Sequence, residues 1–119
     1  MNIEQFYEFC LAKKGVTEHF PFDEETLVLK VGGKMFALSS LKGWEKGTPA
    51  VNVKCNPERA LQLREQYQSV KPGYHMSKVH WNTVTFHGDV ADKLICELIT
   101  DSYDLVFKSL SKKVQEEIA

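Results

Sequence analysis

The stretch Thr26-Leu27-Val28-Leu29-Lys30-Val31-Gly32-Gly33-Lys34-Met35-Phe36-Ala37-Leu38-Ser39-Ser40 sets the fold class. Two runs rich in large apolar residues flank a Gly-Gly pair. A two-residue glycine loop suits the tight primed turns, whose positive φ angles glycine adopts without steric penalty. The run therefore predicts an antiparallel hairpin in which Val31 faces Lys34, Leu29 faces Phe36 and Leu27 faces Leu38, all on one side. Thr26, Val28, Lys30, Met35, Ala37 and Ser39 take the other. One side is strongly apolar and the other mixed, so the sheet is expected to be covered on one face and partly open on the other.

Upstream, Asn2 is placed to cap a helix, with Gln5 set for the return bond of a capping box. Ile3, Phe6, Tyr7, Cys10 and Leu11 then repeat at the spacing of one buried helical face, and Gly15 follows as a stop. Phe20-Pro21-Phe22 reads as a short extended segment, because Pro21 pushes Phe20 out of helical space. Asp23-Glu24-Glu25 reads as a solvated turn. Downstream, Lys42 to Pro49 holds two Gly and a Pro and reads as a loop. Val51, Val53 and Cys55 alternate with Asn52 and Lys54 as a third strand. Asn56 caps the next helix and Pro57 takes its first position, where a missing N–H is harmless. Ala60, Leu61, Leu63 and Tyr67 are its candidate core contacts, and it should end near Ser69. Tyr74 to Met76 reads as a short strand and Ser77 to His80 as a turn. A last strand carries Val84 and Phe86 alternating with Thr83, Thr85 and His87, and Trp81 shares the outward parity of the latter set. From Ala91, Leu94, Ile95, Leu98, Ile99, Ser102, Leu105 and Val106 mark the longest helix. Ser111 caps a last short turn.

The order α-β-β-β-α-β-β-α, with strands grouped rather than strictly alternating with helices, predicts an α+β two-layer sandwich: an antiparallel sheet with helices on one face. At 119 residues, without repeat, linker or low-complexity segment, the chain is read as a single domain, residues 1–119. A net charge of -1 excludes a globally basic nucleic-acid magnet, so any such binding needs a local patch. Cys10, Cys55 and Cys96 are odd in number and far apart, which predicts free thiols and neither a disulfide framework nor a zinc site. Met1-Asn2-Ile3-Glu4-Gln5 lacks the basic and apolar blocks of a signal peptide, and no apolar run reaches membrane-spanning length. A cytoplasmic protein without membrane association is expected.

One segment stands apart in composition: Lys71-Pro72-Gly73-Tyr74-His75-Met76-Ser77-Lys78-Val79-His80-Trp81-Asn82-Thr83-Val84, inside a run from Gln66 to Gly88 with no Asp or Glu. Lys71 and Lys78 suit phosphates. Tyr74, His75, His80 and Trp81 suit stacking on bases or sugars, and Asn82 and Ser77 suit hydrogen bonding. The competing reading is structural: Pro72-Gly73 is an ordinary turn, and Tyr and Trp often bury a ring while keeping a polar edge satisfied. His75, His80 and His87 have no carboxylate or thiol nearby in sequence to complete a metal site, so no metal or other cofactor is expected. Cys55, where a strand meets a helix start, would be activated if the helix dipole lowered its pKa. Its inward parity after Val51 and Val53 makes it a packing residue instead. No phosphate-binding glycine loop or nucleophile elbow is present, so no enzymatic activity is expected.

The chain closely resembles the MmcQ/YjbR family. The likeness is carried by Asn52-Val53-Lys54-Cys55-Asn56-Pro57-Glu58-Arg59-Ala60, Leu63-Arg64-Glu65, Pro72-Gly73-Tyr74-His75-Met76 and Lys78-Val79-His80-Trp81-Asn82-Thr83-Val84. Upstream, Phe20-Pro21-Phe22 and Val31-Gly32-Gly33-Lys34-Met35-Phe36-Ala37 are similar as well. Ser77 departs from the Asn usual in that motif. The resemblance implies an α+β fold akin to the type III secretion chaperones. It also implies DNA binding, through a proposed double-wing arrangement, and brings no catalytic residues. The expected function is DNA binding through Lys71, Tyr74, His75, Lys78, His80, Trp81 and Asn82. The alternative is a protein or peptide partner, or a second copy, docked on an open sheet face of Val28, Met35, Ala37 and Trp81.

Overall fold

The Gly32-Gly33 turn forms as expected, with φ of +58° and +81°. A computed structural model describes residues 1–119. In chain order the elements are α1 (Ile3–Leu11), β1 (Val16–His19), β2 (Thr26–Val31), β3 (Lys34–Ser40), α2 (Leu41–Glu45) and β4 (Ala50–Lys54). They continue with α3 (Pro57–Gln66), β5 (Val70–Pro72), β6 (Trp81–Thr85), α4 (Asp92–Ser109) and α5 (Lys112–Ile118). The strands form one six-stranded sheet in the order β1-β2-β3-β4-β6-β5, antiparallel throughout. The main core lies between this sheet and the helices. Phe6, Cys10, Ala60, Leu63, Ile95, Leu98, Ile99 and Val106 pack from the helix side onto Leu27, Leu29, Val31, Phe36, Val51, Val53, Val84 and others. The expected two-layer α+β sandwich is the observed fold.

Local signals placed the helices well. Asn2 and Gln5 make a reciprocal capping box, Asn56 accepts from the Glu58 and Arg59 amides ahead of Pro57, and Ser111 accepts from Val114. Differences arise where pairing outweighs pattern. The edge strand β1 covers Val16–His19, and Phe20-Pro21-Phe22 lies beyond it: a strand this short exists because β2 offers an edge, Val16 meeting Val31 and His19 meeting Val28. The expected loop at Lys42–Pro49 opens with a helical turn, α2, capped by Ser40. The fifth strand is Val70–Pro72; Tyr74–Met76 has no strand partner. Helix α3 stops at Gln66, and Leu61 and Leu105 point to solvent.

The largest correction concerns hairpin register. Val31 pairs with Lys34, but a bulge then slips the ladder by one, so Leu29 meets Ala37 and Val28 meets Leu38. Phe36 is the extra residue, and both Phe36 and Ala37 lie in the helix-side core. A one-residue slip moves every later side chain to the opposite face. Leu38 therefore leaves the core side and Ala37 joins it. On the open face Leu38, Val28 and Trp81 form a second small cluster, flanked by Met35 and Met76.

The bulge is matched from α4. The fully buried Ser102 hydroxyl donates to the Phe36 carbonyl at 2.6 Å and accepts the Lys54 amide at 2.8 Å. Ala37 pairs with Val53 one step away, so the hydroxyl stands where a direct β3–β4 backbone bond would otherwise close. Ser102→Ala leaves two buried backbone groups without a partner, at about 1–3 kcal/mol for each group left unmatched. We expect a fall in Tm of roughly 10 °C by thermal denaturation. Ser109→Ala, on the exposed side of the same helix, is expected to stay within about 0.5 kcal/mol of the parent.

Candidate nucleic-acid interface

Residues 71–84 divide into anchors and exposed groups. Strand β6 sends Trp81 to the open face and Asn82 to the helix side, and both are buried, at 8% and 1% exposure. Trp81 packs on Val28 and Leu38. Asn82 accepts from Arg64 Nε at 2.7 Å and donates to the Ala60 carbonyl at 3.3 Å. The two residues expected at a nucleic-acid surface thus hold the strand on its two sides, and their burial removes them from the contact set.

The segment between β5 and β6 is folded onto the sheet. Gly73 donates to the Trp81 carbonyl at 2.8 Å, Trp81 to Ser77 at 2.9 Å, and the Cys55 amide to His80 at 2.7 Å. Gly73 is obligatory: an added Cβ would stand 2.7 Å from the Trp81 Cβ. Tyr74 donates its amide to Thr83 Oγ1 at 3.0 Å, that hydroxyl donates to Asn52 Oδ1 at 2.5 Å, and Asn52 Nδ2 returns a bond to the Tyr74 carbonyl at 3.2 Å. Met76 packs beside the Trp81 cluster. From α3, the Arg64 fork reaches the carbonyls of Lys78 and Trp81 as well as Asn82. In the sequence Arg64 stands out only as part of the family-like Leu63-Arg64-Glu65 segment; its role emerges only when α3 lies under the crossover.

Of the seven expected contact residues, Lys71, Tyr74, His75, Lys78 and His80 remain exposed, and Ser77 is exposed with them. Tyr74 is 69% exposed, and its ring lies 4.0 Å from that of His75. His75 adopts φ +58°, a left-handed conformation seldom taken by a residue with a side chain. Lys78 Nζ donates to the Gly73 carbonyl at 3.0 Å, and an ammonium keeps further donors for other acceptors.

Strand pairing adds residues that the sequence did not single out. Across the open face, Lys71, Thr83, Asn52, Leu38, Val28 and His19 form one row of direct partners. Lys54 pairs with Trp81, and Lys30 with both Thr17 and Met35. The strand residues of this face include Lys30, Lys54 and Lys71 but no Asp or Glu; Glu18, opposite Leu29, lies on the helix side and accepts the Tyr7 hydroxyl. Of the expected apolar docking patch, Val28, Met35 and Trp81 come together on the open face with Leu38, while Ala37 does not join them. Ala37 is in the helix-side core, and Val28 is fully buried within the Trp81 cluster.

Elsewhere, no three His, Cys, Asp or Glu side chains converge. Cys55 lines a cleft of about 270 Å³ between α3 and α4 with Arg59, Leu63, Leu98 and Asp101. Burial pushes its thiol up against the lowering pull of Arg59, so the start of α3 does not activate it. Burial also pushes the Cys10 thiol up, to about 12.

The YjbR family model matches residues 11–105. The chain is 40% identical over 99 residues to the uncharacterized protein YbdF of Escherichia coli O157:H7, covering 83% of this chain and 79% of that one. It is 36% identical over 103 residues to the uncharacterized protein YjbR of Escherichia coli K12, covering 87% and 85%. The crystal structure of Deinococcus radiodurans protein DR2400, with domain DUF419, superposes with a TM-score of 0.89 at 37% identity, covering 98% of this chain and 87% of that one. A Pseudomonas syringae crystal structure gives a TM-score of 0.75 at 28% identity, covering 89% and 99%. No helix is long and apolar enough to cross a membrane.

Two outcomes test this anatomy. Arg64→Lys replaces a three-acceptor fork with a point charge and is expected to behave like Arg64→Ala, losing roughly 2 kcal/mol and speeding hydrogen exchange at the Gly73 and Trp81 amides. In the native protein at pH 8, iodoacetamide is expected to label the half-buried Cys96 first and Cys10 only on unfolding, read by peptide mass mapping.

Proposed function

The chain belongs to the YjbR family, and from that membership and the open sheet face we propose that it binds DNA there, with the 71–80 segment as the rim of the site. The observation that carries the reading is the separation of charge. Carboxylates lie on the helices, on the helix side of β1 and in the turns, while Lys30, Lys54 and Lys71 share a strand face free of acids. A molecule of net charge -1 therefore keeps one locally positive surface, which is the condition for phosphate binding without a basic chain. Lys71 and Lys78 serve phosphates, and Tyr74, His75 and His80 supply rings and polar edges around them. Trp81 and Asn82 act from beneath, as supports. Lys54 and Lys30 extend the phosphate track across the sheet beyond the crossover segment.

Four lysines at most give a modest electrostatic footprint. The logarithm of the binding constant is expected to fall with the logarithm of salt concentration at a slope of about -3. Lys54→Ala with Lys71→Ala is expected to bring the slope to about -1 or -2 and to weaken binding at low salt, with an unchanged Tm. Fluorescence anisotropy with labelled DNA across a salt series makes the measurement. A slope unchanged in the double variant, or no binding at low salt, rejects the reading.

A further inference from the structure

We propose that the open face takes single-stranded nucleic acid in preference to duplex, with one base stacked on Tyr74 and the adjoining phosphate on Lys71; this rests on the DNA-binding reading above and specifies its substrate.

The first reason is shape. Reading a duplex requires an element that enters a groove, an α-helix or a two-stranded ribbon in a major groove about 12 Å wide. All five helices lie on the far side of the sheet, and the open face offers six strands side by side, roughly 24 Å across at ordinary strand spacing. The crossover is the one segment on this face long enough to serve as a wing, and it is tied down. Its Tyr74 amide is held by Thr83, its Tyr74 carbonyl by Asn52, and Met76 is seated beside Trp81. Tied to the sheet in this way, the crossover backbone is not free to enter a groove, and a duplex would meet the face along its phosphates.

The second reason is what the face does present. Tyr74 is the most exposed of the large hydrophobic and aromatic side chains, yet its backbone is fixed on both sides. Its ring lies against that of His75, whose left-handed backbone turns the chain so that the two rings stand together. A non-glycine residue keeps such a conformation only where its surroundings over-determine it. A ring held on a rigid backbone beside a cation is the recognition unit of single-strand binders, since every base has a face to stack and every nucleotide a phosphate to neutralise. Thr83 fixes the spacing: its hydroxyl receives the Tyr74 amide, and across the ladder its partner on the open face is Lys71. Thr83 thus borders both the backbone that carries the ring and, about one strand spacing of roughly 5 Å away, the Lys71 backbone that carries the cation, a separation suited to neighbouring parts of one nucleotide. In a duplex the same ring would have to displace a paired neighbour before it stacked.

The test compares fluorescein-labelled oligo(dT) of about 15 nucleotides with a duplex of the same length, for the parent chain, Tyr74→Ala, Tyr74→Phe and the Lys54→Ala/Lys71→Ala pair. Oligo(dT) is expected to bind about tenfold or more tightly than duplex. Tyr74→Ala should lose about tenfold on the single strand, Tyr74→Phe should retain it, and neither should shift duplex binding. Duplex bound as tightly as oligo(dT), or single-strand binding indifferent to Tyr74→Ala while the lysine pair still matters, overturns the single-strand inference and leaves the DNA-binding reading in place. Binding of neither probe at low salt overturns both.

Discussion

The Ser102 hydroxyl occupies the point where β3, β4 and α4 meet, and it takes the place of a strand–strand bond. Donating to Phe36 and accepting from Lys54, it lets β3 carry one residue more than β2 can match without leaving a buried carbonyl or amide alone. A hydroxyl suits this position because it donates and accepts at once; an aliphatic side chain of similar size would do neither. Everything beyond the bulge follows from it. Leu38 turns to the open face, joins Val28, and makes an apolar seat on which the Trp81 ring settles. Met76 then packs beside that ring, and the crossover between β5 and β6 lies flat. The rim of the open face thus depends on a serine on the opposite side of the sheet.

Strand β6 shows why a compositionally odd stretch need not be uniform in role. Adjacent residues on a strand point to opposite faces, so Trp81 and Asn82 fill two unrelated environments, one against Val28 and Leu38, the other against α3. The Arg64 fork spans from Asn82 to the carbonyls of Lys78 and Trp81, coupling the helix layer to the loop on the other side. A buried amide held by a guanidinium and a backbone carbonyl is fully matched, which is what lets a polar residue occupy a core position. The residues left over, Lys71, Tyr74, His75, Lys78 and His80, are those whose side chains have no such duty, apart from the single Lys78 bond to Gly73.

Much of the fold was legible in local chemistry. The capping box at Asn2, the Asn56-Pro57 start, the Gly32-Gly33 turn and the long period from Leu94 to Val106 each depend on neighbours within a few residues, and each appears as read except that Leu105 faces solvent. Strand β1 and helix α2 were missed because neither has a pattern long enough to count. The first is made by the edge of β2, the second by a cap at Ser40 and by Trp44, which packs at a tilt against Phe6 and Phe86 and donates to Ser39. Of the site, the exposed groups of the crossover were legible from composition, whereas Lys30 and Lys54 were not. They lie far apart in sequence, and only strand order brings them to one face.

The sequence by itself determined the helices α1, α3 and α4, where the hairpin turns, that Val51, Val53 and Cys55 point inward, and to which family the chain belongs. These are consequences of side-chain period and backbone preference, both short-range. The tertiary structure alone decided the register beyond the bulge, the face to which Leu38 and Ala37 turn, and the burial of Trp81 and Asn82. A one-residue slip leaves the pattern of the chain unchanged while inverting its faces. What selects the slipped pairing is a hydroxyl brought by a helix more than sixty residues away along the chain, at Ser102 against Phe36.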